Sequence, residues 1–357
     1  MFNMKDSRKN NLKFYKGRRV LVTGHTGFKG SWLTLILKYF GADAVGYALP
    51  PPEDGLYQQI NGDLHIKNVT GDLADRTLLE KTVREFQPEV VLHLAAYCIV
   101  EECFEDPVRA YASNVLGTVH LLEALRECPS VRSIVVVSTD KVYKENADHK
   151  PYKETDPIGN TSSPYCSSKS CAEFAARDYW NSFFKPKETI GMAVTRAGNV
   201  IAGGEHTKSR IINCILTALD KREPIALRHP EQLRHWQSVL DVLDGYLTIG
   251  RLLYEDPKRY SEAWNIASLN KAQSVSWLVQ TMQQYFPELT STKGEHLKAS
   301  EEEVLELDIS KALERLDWEP RLSCEQAVQN VADFYKRQKA GEEVCDICLR
   351  QIEAYYA

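Results

Sequence analysis

The sequence predicts an α/β protein: a doubly wound parallel sheet carrying a smaller C-terminal α/β unit. Three observations predict it. Strand-like and helix-like segments alternate through the first half, a glycine-rich turn joins the first strand to the first long helix, and the second half breaks into less regular pieces.

The elements read in order as follows. Arg19 to Thr23 is a short apolar run with β-branched residues, hence a strand. Ser31 to Phe40 reads as a helix stopped by Gly41, because glycine readily enters the left-handed conformation that ends a helix. Ala42 to Leu49 reads as the next strand, closed by Pro50, Pro51 and Pro52. Leu78 to Phe86 is helical and Val90 to Ala95 a buried strand. Asp106 to Glu127 reads as one long helix, and Ser133 to Ser138 (SIVVVS) is the most β-like run in the chain. A second long helix spans Pro164 to Phe184, followed by a strand at Ile190 to Thr195. From Asn199 to Ala357 the pattern is loops, short helices and isolated strands, with no internal repeat. The expected organisation is a dinucleotide-binding domain over 1–198, completed by a segment near 239–267. Residues 199–238 and 268–357 would form a substrate-binding lid.

Composition narrows the function. The chain has 357 residues, 43% hydrophobic and 26% charged, enough for a large core. A formal net charge of -5 offers no attractive field to nucleic acid or to an anionic membrane, so neither is expected as a partner. The polar, basic N-terminus has no apolar signal core, and the longest apolar stretch, Ser31 to Phe40, is short and contains Lys38. A cytoplasmic protein is the expectation. Nine cysteines, an odd number, fit reduced thiols. The Cys345/Cys348 pair has no second pair at zinc spacing, so no metal site is expected.

The turn after the first strand reads Thr23-Gly24-His25-Thr26-Gly27-Phe28-Lys29-Gly30. Gly24, Gly27 and Gly30 let the backbone turn tightly and approach a pyrophosphate, and the following helix offers its free N–H groups and positive dipole end. Thr26 and Phe28 belong to the same cradle. In this position the glycine triplet predicts a Rossmann-type dinucleotide site. The second strand ends Gly46-Tyr47-Ala48-Leu49 with no acid before Glu53 and no arginine to receive a 2′-phosphate, which favours NAD over NADP.

Further on, Tyr165 and Lys169 form a YxxxK pair whose i, i+4 spacing puts both on one helical face. An ammonium beside the phenol favours tyrosinate, giving a base near neutral pH. Thr139, at the end of the Ser133 strand, adds a hydroxyl.

The GxxGxxG spacing and this triad resemble the extended short-chain dehydrogenase/reductase superfamily. Within it the chain looks like the CDP-glucose 4,6-dehydratases, in the NAD-dependent sugar epimerase/dehydratase family. The likeness rests on VTGHTGFKGSWL, on Ser138-Thr139-Asp140-Lys141 and on YxxxK. It continues through Asn181 to Phe184, Arg196 to Ile201, Arg234-His235-Trp236-Gln237, Trp264-Asn265 and Cys348 to Ile352. It implies that Asp72 and Leu73 border the adenine, that Leu94, Ala95 and Ala96 run beside the cofactor, and that Asn114 belongs to the same site. It also implies an internal redox cycle on a nucleotide sugar. Tyr165 would be the base for oxidation at C4, Asp140 the acid for the departing C6 hydroxyl, and Lys141 a base or electrostatic helper at C5. Asn199, Arg234 and Arg210 would meet the substrate pyrophosphate, Arg pairing two parallel hydrogen bonds with phosphate. The family assembles through its long helices, so a homodimer or homotetramer is expected through 106–127 and 164–184.

The chain departs from the family where Gln-Pro-Leu-Val-Arg is usual, reading Tyr97-Cys98-Ile99-Val100-Glu101. Tyr97 and Glu101 are therefore expected near the sugar. Gly203-Gly204-Glu205-His206 and the stretch from Lys144 to Ser163 also diverge. Two other readings stay open: a nucleotide-sugar epimerase, which needs no acid at Asp140, and a non-catalytic dinucleotide-binding sensor, which would not need the triad.

Overall fold

The computed structural model describes residues 7–146, 148–294 and 304–357. Its central strands are β1 (Arg19–Thr23), β2 (Asp43–Ala48), β3 (Lys67–Thr70), β4 (Val90–His93), β5 (Ser133–Val137) and β6 (Gly191–Ala197). Two short strands, β7 (Asn199–Ile201) and β8 (Trp236–Ser238), pair with each other outside that sheet, and β9 (Ala263–Ile266) returns to it. The seven-stranded sheet runs β9–β6–β5–β4–β1–β2–β3 with every neighbouring pair parallel.

The helices sort onto the two faces. On one lie α1 (Ser7–Tyr15), α2 (Phe28–Phe40), a helix at Val239–Glu255 and a last helix at Val344–Tyr356, whose Tyr15, Trp32, Leu33, Leu247 and Ile352 share one core. On the other lie α3 (Arg76–Phe86), a helix at Gly117–Arg126 and one at Pro164–Tyr179, with Leu79, Val83, Leu121, Leu125 and Ala176 in a second core. Covered from both sides, β4, β5 and β6 are buried along their whole length, which is why they read as apolar runs instead of alternating. A third core, with Ile212, Ile215, Trp236, Leu278 and Val328, lies in the smaller unit.

Several elements differ from the sequence expectation. Strand β3 was not expected: its residues, Lys-Asn-Val-Thr, are polar and partly exposed at the sheet edge, so no apolar run announces it. The single helix expected over Asp106 to Glu127 is divided. A helix at Val100–Glu105, α4, precedes α5 (Pro107–Tyr111), which Asp106 caps by accepting from the Arg109 N–H. A π turn over Ala112–Leu116 then leads into α6 (Gly117–Arg126). The helix from Pro164, α7 (Pro164–Tyr179), likewise passes into a π turn at Trp180–Phe184. A periodicity argument does not see one extra residue in a turn, because the apolar face shifts by only a fraction of a turn.

The largest omission is a long helix in the region expected to hold only short ones. After α8 (Ile211–Lys221) comes α9 (Val239–Glu255), 17 residues long and buried through Leu253. Asp241, Asp244, Thr248 and Arg251 interrupt its apolar residues, yet all are buried, because their partners come from distant elements that no local pattern shows. Beyond it stand α10 (Val275–Gln283), α11 (Cys324–Lys339) and α12 (Val344–Tyr356).

Polar bonds tie both ends of the described chain to α9. Ser7 Oγ donates to Asp244 Oδ2 (3.0 Å), and Asn11 Nδ2 to Asp244 Oδ1 (2.9 Å) and Thr248 Oγ1 (2.9 Å). Tyr355 OH donates to Asp241 Oδ1 at 2.8 Å. Burial, partly opposed by the Asn11 and Ser7 hydrogen bonds, lifts the Asp244 carboxyl to about 6. An acid raised on folding holds a proton that the unfolded chain has already released. Its contribution therefore favours the fold at low pH and is lost as pH rises through about 6. Asp244→Asn should accordingly be more stable than wild type by about 1–2 kcal/mol at pH 8, with the gain shrinking toward pH 4.5. Urea denaturation across that range measures it; a gain that grows toward low pH contradicts the assignment.

Candidate active site

The carboxyl ends of β1, β4, β5 and β6 converge on one cleft. At its floor the glycine turn is fixed by backbone contact. Gly24 is left-handed (φ +76), and a Cβ there would sit 2.7 Å from the Ala95 backbone. A Cβ on Gly30 would sit 2.1 Å from the Gly24 carbonyl oxygen. Leu94 N–H donates to the Thr23 carbonyl at 3.0 Å, so the strand exit of β4 lies directly on the turn. Gly27 starts α2 with no side-chain cap and no acid in the first turn, leaving the helix N–H groups for an incoming anion. Thr26 Oγ1 donates to the Leu49 carbonyl (3.0 Å), and Phe28 and Ala96 are half-buried. His25 fills the interior of the turn, where Gly46 leaves room for its ring. It is bonded to Asn68 and, lowered by burial to about 4, stays neutral.

Around this floor, Asp72 is exposed; its carboxylate accepts from the Ala74 N–H (2.9 Å) and its carbonyl from Tyr47 OH (2.8 Å). Leu73 is buried beside it. Asn114, in the π turn, accepts from the Tyr97 N–H (2.7 Å) and donates to the Tyr97 carbonyl (3.0 Å) and Ser168 Oγ (2.9 Å). Its amide thus joins the exit of β4 to the first turns of α7.

The triad stands on the far wall. Ser163 Oγ caps α7 by accepting from the Cys166 N–H (3.1 Å), and Pro164 opens the helix. This capped start points Tyr165 toward the end of β5, where its hydroxyl meets Thr139. Thr139 Oγ1 also donates to Asp140 Oδ1 (3.0 Å). One turn on, Lys169 Nζ donates to the Val137 carbonyl (2.8 Å).

The electrostatics differ from the expectation for tyrosine. Burial pushes the Tyr165 phenol up, with Cys98 adding to it and Thr139 and Arg210 only partly opposing it. Lys169 is lowered to about 8, by burial first and then by the Lys29 cation. In the protein alone, then, desolvation outweighs the ammonium that was expected to favour tyrosinate, and that ammonium is spent on a backbone carbonyl. Asp140 is pushed up by burial as well, against the pull of Lys141, Thr139 and Arg234. Its carboxyl is biased toward the proton-bearing form.

A buried ion pair braces this wall. Glu173, one turn beyond Lys169, accepts from Arg196 Nε (3.1 Å) and Nη2, and from Ser138 Oγ (3.2 Å). Arg196 Nη1 also reaches Tyr143 OH (2.8 Å). Glu173 thereby connects α7 to both flanks of the Thr139–Lys141 loop.

Of the other residues named from sequence, Lys141 and Arg234 act on Asp140 and Arg210 on Tyr165. Asn199 is half-buried at the start of β7, and Lys141 is half-buried beside Asp140. Arg234 is buried and donates to the Leu233 carbonyl (2.8 Å). Arg210 lies on the exposed rim, with Nη2 3.4 Å from the Cys98 carbonyl. Tyr97 turns its ring to Arg109, 4.9 Å from the guanidinium carbon, and Glu101 is exposed on α4. Lys29, not singled out from the sequence, is half-buried and senses Asp140, Lys169 and Arg210. A charged residue inside a phosphate-binding turn was the available signal. Outside the cleft, Cys345 Sγ is 3.4 Å from His65 Nε2; no His/Cys/Asp/Glu group among the described residues could hold a metal ion.

Parallel sheet, glycine turn and tyrosine–lysine helix together are the architecture of an extended short-chain dehydrogenase/reductase. A family model described as GDP-mannose 4,6 dehydratase matches residues 21–331, and the chain belongs to that family. It is 36% identical to a CDP-glucose 4,6-dehydratase of Salmonella typhimurium over 350 residues, covering 96% of this chain and 97% of the relative. It is 28% identical to a UDP-glucose 4-epimerase of Mycoplasma pneumoniae, covering 89% of this chain and 96% of that one. Among solved structures it superposes on a dTDP-glucose 4,6-dehydratase from Bacillus anthracis in complex with NAD, with a TM-score of 0.75 and 24% identity over 90% of this chain and 98% of the other. The epimerase Mth375 of Methanothermobacter thermautotrophicus gives a TM-score of 0.80 at 22% identity, over 95% of this chain and 97% of the other. No helix among the described residues is long and apolar enough to cross a membrane.

The bracing pair makes a prediction. Glu173→Gln leaves the buried Arg196 cation uncompensated and should cost about 3–5 kcal/mol of stability. Chemical denaturation measures the loss; a change under about 1 kcal/mol contradicts the role given to the pair.

Proposed function

We propose that this chain is an NAD-dependent lyase that converts CDP-glucose to CDP-4-keto-6-deoxyglucose. The N–H groups at the start of α2, framed by Gly24, Gly27 and Gly30, would receive the cofactor pyrophosphate. Thr26, Phe28, Leu73, Leu94, Ala95 and Ala96 would line the same floor, and Asp72 would border the adenine. Asn114 serves this site by holding the Tyr97 backbone. When bound, NAD supplies the hydride acceptor and a positive ring whose charge favours the Tyr165 phenolate. That charge answers the desolvation that keeps Tyr165 neutral in the protein alone.

The protein's own residues then divide the proton transfers. Tyr165 takes the proton of the C4 hydroxyl, and Thr139 hydrogen-bonds the same oxygen. Lys169 holds its end of the cofactor and balances the phenolate. The C4 ketone acidifies C5–H, and Lys141 takes that proton as the neutral amine, the form in which its nitrogen has a lone pair to accept it. Asp140 gives its own proton to the C6 hydroxyl, the C6–O bond breaks, and water leaves. The hydride taken from C4 returns to C6 and a proton returns to C5, which gives the 4-keto-6-deoxy sugar with no net redox change. Arg234 and Asn199 would hold the substrate pyrophosphate, with Arg210 closing from the rim.

The observation that carries this reading is Asp140: a buried carboxyl, biased toward its protonated form, bonded to Thr139. A 4-epimerase shares oxidation at C4 but has no leaving hydroxyl to protonate. The sensor reading has no use for Thr139, Tyr165 and Lys169 together. The 36% likeness to a CDP-glucose 4,6-dehydratase supports the same choice.

Asp140→Asn should therefore oxidise C4 and stall, showing NADH absorbance when CDP-glucose is mixed with the NAD-loaded variant, while product forms about 10²–10⁴-fold more slowly. Tyr165→Phe in the same mixing experiment should show neither NADH nor product. Wild-type turnover by Asp140→Asn, without NADH, rules out the dehydratase role for Asp140. A product unchanged in mass would identify an epimerase.

Assembly follows from the same face of the sheet. Phe104, Val108, Tyr111, Leu116 and Phe174 are large apolar side chains exposed on α4, α5, the π turn and α7, Val108 being 78% exposed. Such a cluster fits a second copy of this chain, giving a homodimer or homotetramer through these helices. Val108→Glu combined with Leu116→Glu should yield a monomer in light scattering after size-exclusion chromatography. An unchanged oligomer in that variant removes this face from the interface.

A further inference from the structure

Beside Gly198, a second polar side chain shares the space of Asp140. Gln237 lies in β8, in parallel register with Val200 of β7, and is 1% exposed. Its amide nitrogen is buried and has no hydrogen-bond partner. A Cβ placed on Gly198 would lie 3.2 Å from Asp140 Oδ2 and 3.6 Å from Gln237 Nε2. The missing side chain of that glycine is thus the gap between the carboxyl and the amide.

Burying an N–H donor without an acceptor is unfavourable, so each such group calls for an explanation, and a role in catalysis is one. Asp140 is the neighbour whose accepting power changes. As the general acid it starts neutral and ends as a carboxylate. We propose that Gln237 is a positioning residue for the elimination step: its amide turns onto the Asp140 carboxylate as the proton leaves and holds that anion until a proton returns. This rests on the reading of Asp140 as general acid.

The bonds balance without further reactants. The Asp140 O–H bond breaks and the proton joins the C6 oxygen. The C6–O bond breaks with its electron pair leaving in water, and the C5–H electrons, freed as Lys141 takes the proton, form the C5–C6 double bond. The negative charge left on Asp140 needs a donor, and an amide supplies one at little expense to the resting acid. A cation in the same place would drain the acid before the reaction. An amide carries an acceptor as well as donors, so the same side chain can serve the neutral carboxyl through its oxygen and the anion through its nitrogen. The other groups that act on Asp140 are charged or titratable and come from separate elements. They are Lys141 on its own loop, Arg234 before β8, Lys29 on α2, Tyr165 on α7 and Tyr246 on α9.

Rapid mixing of the NAD-loaded protein with CDP-glucose separates the two halves of the reaction, since NADH absorbance rises on oxidation and decays after elimination. Gln237→Met keeps the length of the side chain and removes the donor. Its decay phase should slow about tenfold while its rise slows far less. Because the lost donor no longer stabilises the carboxylate, the alkaline fall of the decay phase should move to higher pH. Gln237→Glu, which adds repulsion, should move it further. An unchanged decay, or a rise and decay slowed in equal proportion as a merely misfolded site would give, overturns the proposal. Asp140→Asn run beside them tests the underlying reading separately: if it accumulates no NADH, Asp140 is not the acid, whatever Gln237 does.

Discussion

Backbone-to-backbone contact at the glycine turn sets the distances on which the cleft depends. Gly24 touches the chain leaving β4, and Gly30 touches the carbonyl of Gly24. A methyl group at either place would drive the start of α2 away from the sheet, and the free N–H groups of that helix would no longer face the ends of β4 and β5. Thr23 reinforces the contact, its carbonyl accepting from Leu94 and its hydroxyl from Ala95. The phosphate end of the cleft is therefore positioned by the sheet itself, without help from mobile side chains.

The opposite wall is built from charge that has been taken out of water. Tyr165, Lys169 and Asp140 are all shifted toward their neutral forms by desolvation. This suits an internal redox cycle, because each group must change protonation during turnover and a strongly solvated ion resists doing so. The cost is held in check by bonds that do not take part in proton transfer. The Glu173–Arg196 pair, Tyr143 and Ser138 fix the loop that carries Thr139 and Asp140, while the amide of Asn114 fixes the chain on the other side.

Much of this was legible in the residues. The β1 strand, the start of the cofactor turn, the all-buried β5 and the tyrosine–lysine helix follow from local rules: a run of β-branched residues, glycine spacing, an N-cap followed by proline. The unread parts share a cause. Strand β3 shows no apolar run because it lies at an edge; α9 buries Asp241, Asp244, Thr248 and Arg251 along with its apolar residues because their partners come from elsewhere in the fold. The polar N-terminal segment, which reads as featureless, becomes α1 because Ser7, Asn11 and Tyr15 each find a partner on α9, more than two hundred residues away.

The sequence by itself determined the class of fold, the cofactor turn and the chemical types present in the cleft, since each is encoded by neighbours within one strand, turn or helix. Only the tertiary structure decided how those types behave. Tyr165 and Lys169 are one helical turn apart in any helix, but their protonation depends on burial, with Cys98 acting on Tyr165 and Lys29 on Lys169, each from a different element. The roles of Glu173 and Gln237 arise in the same way, from Arg196 and from the gap at Gly198. Dielectric environment and long-range contact are properties of the folded assembly, and no window along the chain contains them.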